Sequence, residues 1–197
     1  MKGFYMKFYK DNSADITKLF INQIGITIFG LLITMASVMS SSSTKGTFPL
    51  FCGIFSLGFY LYLVYVAVWD MGGRDKIRVE AGRLPFDKLK GAKLMLLAQV
   101  PNMVVGILLW IGAIFIAIGH AMADVGRVFY GVAQPIAKFT QAMYLGIVMQ
   151  LPVEEAPLLT ALVYTLTILP PLLVCGIGYY FGIKDIRFLT SPYQPKK

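Results

Sequence analysis

Residues 94–119, LMLLAQVPNMVVGILLWIGAIFIAIG, hold no Lys, Arg, Asp or Glu. At about 1.5 Å rise per residue, a helix of this length exceeds the ~30 Å hydrocarbon core of a bilayer. Three more runs share the property: 19–39, 48–69 and 158–183. Each passes the about 20 residues needed to cross. In lipid every backbone polar group must be satisfied internally, which leaves helices or a closed barrel. The run lengths select helices. The sequence therefore predicts an all-α fold, an integral membrane four-helix bundle, with residues 1–197 forming a single membrane domain.

Composition agrees. The chain is 57% hydrophobic and 14% charged, against about 25% charged in a soluble domain, which excludes an ordinary soluble or disordered protein. The net charge of +8 has its own explanation in topology. With the N-terminus inside, fifteen of the 18 Lys and Arg fall on inner segments, and only Lys45, Arg127 and Lys138 fall outside. Positive charge collects on the cytoplasmic side. The expectation is a multi-pass plasma-membrane protein with both termini cytoplasmic and no nucleic-acid partner. The first run exceeds the 7–15 apolar residues of a signal peptide, so it reads as an uncleaved span. Cys52 and Cys175 both lie in apolar runs and read as core residues.

Between the third and fourth spans lies an outer segment, 120–157. A fifth span through it would bury Lys138 near its middle, at ~2.5–3.5 kcal/mol on insertion scales. The segment is expected to hold either an interfacial helix over Ile136–Met149, with Pro135 as its first residue, or a re-entrant hairpin. Within it His120 and Asp124 have the spacing of an acid/base couple, while the adjacent Glu154 and Glu155 diverge on a helix and make a poor metal site. No metal or cofactor is expected.

Residues 70–93 read as a cytoplasmic loop with turns at Gly72-Gly73 and Gly91. Its Arg74, Asp75, Lys76, Arg78, Arg83, Lys88 and Lys90 are candidates for docking anionic lipid headgroups, or a membrane or cytoplasmic protein partner. Residues 1–18 interleave Phe4, Tyr5, Phe8 and Tyr9 with lysines, as a surface anchor does. Inside the spans, Asn22, Gln23, Gln99 and Asn102 fall at one depth and form a candidate polar cluster or ligand site. Amides in hydrocarbon must find partners. Pro101, and the pair Pro170-Pro171, predict kinks. Gly178 and Gly182 form a GxxxG step for helix packing or for a homo-oligomer. The Phe51, Phe55 and Phe59 stripe reads as packing or lipid contact. No ionisable side chain falls inside the four runs, which argues against an ion-coupled transporter.

At Trp69-Asp70, Gly72-Gly73-Arg74-Asp75, Gly82-Arg83, Asp87-Lys88 and Lys90-Gly91, running into Gln99 and Pro101-Asn102, the chain resembles small uncharacterised multi-span membrane proteins of Gram-positive bacteria. Gly178-Tyr179-Tyr180-Phe181-Gly182 is similar to the pattern closing the final span in that group. No activity is attached to the group, so no functional residues carry over. Two function classes stay open. One is a non-catalytic accessory or scaffold component of a membrane transport or envelope complex. The other is a small oligomeric transporter or channel unit for an uncharged or zwitterionic solute. An enzyme is not expected.

Overall fold

The computed structural model describes residues 8–41, 46–119, 121–152 and 156–186. Helix α1 (Ser13–Ser41) and helix α2 (Thr47–Glu80) form an antiparallel hairpin. Helices α3 (Lys90–Ala98) and α4 (Val100–Ile118) follow, separated only by Gln99. Helix α5 (Ala121–Thr140) turns back along α4. A 3-10 turn (Ala142–Tyr144) and the short α6 (Leu145–Val148) lead to α7 (Pro157–Leu166) and α8 (Leu169–Lys184). The segments Ser13–Ser40, Thr47–Glu80, Val100–Ile118 and Pro157–Lys184 are long and apolar enough to cross a membrane. The protein is thus an all-α membrane bundle.

The helices are interrupted beside both proline sites. Pro101 lies in the first turn of α4 and cannot donate to the Leu97 carbonyl, so the helix breaks just upstream, at Gln99. Pro170 and Pro171 act likewise, and the last span divides at Thr167–Ile168.

The expected loop over 70–93 is largely helix. Helix α2 continues past Trp69 to Glu80, and α3 begins at Lys90. Gly72 and Gly91 do not turn the chain; they admit α8. A Cβ on Gly72 would stand 2.5 Å from the Tyr179 carbonyl oxygen, and one on Gly91 would strike the Cys175 carbonyl oxygen. The turn itself falls at Gly82, whose φ of 68° is left-handed. Gly178 and Gly182 are used within the chain: Gly178 meets Tyr65, and a Cβ on Gly182 would strike the Trp69 carbonyl oxygen. The GxxxG face is therefore filled by α2 and is not open to a second copy.

The segment after α4 also differs from expectation. Pro135 lies inside α5, not at a helix start. Gly112 packs on Tyr130, and Gly126 on Ile116, an antiparallel register that carries Thr140 opposite Asn102. The Thr140 carbonyl accepts a hydrogen bond from Thr27 Oγ1 at 3.0 Å, midway along α1. The chain then retreats: Gly30 abuts Met143, and Gly146 abuts Gly53 and the Pro49 carbonyl. Of the two arrangements expected, this is the re-entrant one, entering and leaving by one end of the bundle. Lys138, half-buried, is carried with it to mid-height, outside the four apolar runs, which hold no Lys, Arg, Asp or Glu.

The other end is basic. Arg74 pairs with Asp15 at 3.2 Å, and Lys76 with Asp185 at 3.8 Å. Trp69 Nε1 donates to the Ile186 carbonyl at 3.0 Å. The start of α1 and the end of α8 therefore share this end. Around the middle, apolar side chains face outward, among them Ile21, Ile28 and Leu32 of α1. The Phe51, Phe55 and Phe59 stripe is exposed with them, as lipid contact requires.

Candidate functional site

Two polar centres stand in the interior. The first lies at the basic end. Asp75 on α2 and Lys90 at the start of α3 are both buried, at 4% and 6% exposure. Lys90 Nζ lies 2.6 Å from Asp75 Oδ2, to which Tyr179 OH also donates at 2.9 Å. Lys90 stands 6.0 Å from the Tyr179 ring centre, and Arg78 reaches the second carboxylate oxygen at 3.5 Å. Three elements are thus tied at one carboxylate. Asp75 and Lys90 were expected on a docking surface; burial in this pair removes both from it. Arg74 and Arg78 remain exposed though paired, Lys76 is half-buried, and Arg83 and Lys88 are exposed.

The second centre is the amide layer. Gln99, at the α3–α4 break, is the hub. Its Oε1 accepts from Gln23 Nε2 at 3.2 Å and from Asn102 Nδ2 at 2.5 Å, and its Nε2 donates to Tyr60 OH at 3.4 Å. Three of the four expected amides meet here. Asn22 does not: it lies on the outer flank with Ser13, Thr17 and Ile21. One residue of offset turns a helix by about 100°, and Gln23 takes the buried face with Leu19, Ile26 and Thr27.

A further part of the layer escaped the sequence reading. At the tip of the re-entrant segment, Thr167 Oγ1 donates to Gln141 Oε1, and Tyr144 OH donates to the Thr167 carbonyl at 2.9 Å. The proline pair freed that carbonyl. The signal was present in Thr27, one turn from Gln23 on the same face, and in the polar residue beside each helix break. Gln23 Oε1 and Ser56 Oγ are buried without a hydrogen-bond partner.

His120, Glu154, Glu155, Phe4 and Tyr5 lie outside the described residues. Asp124 pairs with Arg127 at 2.6 Å in an exposed contact. Among the described residues no three His, Cys, Asp or Glu gather as metal ligands, and Cys52 and Cys175 are not joined. The arrangement offers hydrogen-bonding amides and hydroxyls in an apolar bundle, and a rigid charged end. Comparison with protein-family models, with curated proteins and with solved structures gives no match.

Proposed function

We propose that this chain is a non-catalytic component of a membrane transport or envelope complex, seated in the plasma membrane with both ends cytoplasmic, and that its basic end docks an acidic partner protein. The carrying observation is the overrun of α2, which stays helical from Trp69 to Glu80. At about 1.5 Å per residue this extends about 16 Å beyond the apolar zone, while a headgroup layer is only roughly 5–8 Å deep. Arg78 and Arg83 therefore reach past lipid headgroups, which favours a protein partner over lipid. The buried Asp75–Lys90–Tyr179 cluster holds the projection rigid, which spares a partner the entropy of ordering it. Orientation is supported by the excess of Lys and Arg on the segments that gather at this end.

Arg83→Glu with Lys88→Glu tests the reading, because both side chains are exposed and lie outside the buried cluster. Purification in mild detergent is expected to lose a co-eluting acidic protein while the chain keeps its own elution volume. Unchanged co-elution removes the docking role.

A further inference from the structure

The two helix breaks leave an opening in the side of the bundle. Helix α3 packs on α8, and α4 packs on α7, but α4 and α8 diverge. On the basic side the opening is closed where Gly91 meets the Cys175 carbonyl and Gly176 approaches Ala92. On the far side it is closed by Trp110, whose Nε1 donates to Thr165 Oγ1 at 3.0 Å. Between these seams lies a groove of about 330 Å³, walled by Leu96, Met103, Ile107, Leu169 and Leu172, with the buried Gly106 in its lining. Every lining residue belongs to the apolar runs 94–119 and 158–183, so the groove stands at hydrocarbon depth. Ile107 and Leu169 are exposed there.

The lining narrows the choice of occupant. Its two polar side chains are already bonded: Thr165 Oγ1 accepts from Trp110 and donates to the Ala161 carbonyl at 2.8 Å. No side-chain donor or acceptor is left to orient a polar ligand, as polar-ligand pockets require. The occupant is therefore hydrocarbon. From Leu96 to Trp110 the groove runs about 21 Å at 1.5 Å per residue. A helix about 10 Å across would need roughly 1,500 Å³ over that length, far more than the groove holds. One extended acyl chain is thin enough to enter. Walls left bare would forfeit their dispersion contacts, and packing of this kind is what holds apolar partners together in lipid.

Lys93 supplies a place for the headgroup. It directly precedes the run 94–119, which sets it at headgroup depth, one turn from Leu96 on the same side of α3. Its Nζ lies 2.6 Å from Asp87 Oδ2, yet its side chain is 44% exposed. An ammonium has three donors, so capacity for a lipid phosphate remains.

We propose that the groove between α4 and α8 holds one acyl chain of a phospholipid from the leaflet at the basic end, with the phosphate of that lipid at Lys93. The docking role of Arg83 and Lys88 is separate, and either reading survives the failure of the other.

Trp110 reports on the groove directly. The chain has two tryptophans, so Trp69→Phe leaves Trp110 alone. The full chain is reconstituted in vesicles of acyl-brominated phosphatidylglycerol, whose bromines quench indole on contact. It is then diluted into mild detergent with excess unbrominated phosphatidylglycerol. A comparison chain carries Trp69→Phe, Trp110→Phe and Phe55→Trp, which moves the indole to the exposed stripe. Both chains are expected to be quenched in vesicles. On dilution Trp110 should recover its emission on the order of tenfold more slowly than the stripe, because differences in affinity fall mainly on release. A Cβ on Gly106 would lie 3.7 Å from Thr165 Oγ1, an ordinary contact, so Gly106→Leu fills the groove. That variant, and Lys93→Gln, should each bring recovery close to the rate of the stripe at unchanged elution volume. Equal recovery of Trp110 and the stripe overturns the proposal. So does slow recovery that persists in Gly106→Leu, since the lipid would then be held elsewhere. Absence of quenching at Trp110 in vesicles also overturns it, with a second copy covering the groove. Slow recovery unchanged by Lys93→Gln overturns the phosphate contact.

Discussion

Asp75 and Lys90 illustrate what a buried pair asks of its neighbours. Each charge loses its water, and the loss is offset only when geometry and further hydrogen bonds are good. Here Tyr179 and Arg78 supply those bonds. Removing one partner leaves the other charge stranded. Lys90→Ala is expected to cost about 3–5 kcal/mol, read as a lower thermal midpoint in detergent, and Asp75→Asn added to Lys90→Met should recover most of it. If the double variant is no better than Lys90→Ala, the cluster is not an ion pair in energetic terms. Nothing in the sequence joins these two residues, because their contact exists only once α3 has folded back beside α2 and α8. The amide hub was more legible. Gln99 and Asn102 are three apart and necessarily share a face, and an amide in hydrocarbon must be bonded. Choosing between Asn22 and Gln23 needed one further step, placing each against the apolar stripe of its own helix.

At the scale of elements, two glycines decide how α2 and α8 pack. Gly72 and Gly182 let the two backbones touch, so either helix would be displaced by a side chain there. Gly182→Val is expected to destabilise by about 1–3 kcal/mol through overpacking, while Gly25→Val, where no atom lies within 4 Å of the added Cβ, is not. Equal midpoints for the two would refute close packing. The proline breaks were readable because a missing N–H acts locally. The course of residues 70–80 was not, because Gly-Gly signals a turn in isolation and a helix contact only when a second helix arrives. The path of α5 was half readable: its polar face is visible in the spacing of Arg127, Gln134, Lys138 and Gln141, but its upright stance depends on Gly112 and Gly126 meeting.

For the whole molecule, the apolar runs determine the number of crossings, and the crossings determine that both ends meet. Thiols introduced as Asp11→Cys and Glu80→Cys, both exposed, should resist an impermeant reagent in intact cells and react together once cells are permeabilised. Labelling of either one in intact cells inverts the orientation argued from charge, and labelling of one alone contradicts their shared end.

The tip of the re-entrant segment has a consequence for biogenesis. Thr140 is held by Thr27, which the ribosome makes early, but Gln141 is held by Thr167, made late. A nascent chain that has reached only Leu151 therefore carries an amide whose partner has not yet been synthesised. The contact that fixes Gln141 forms only once the last crossing is present, and the last helix closes over a tip that Thr27 already holds.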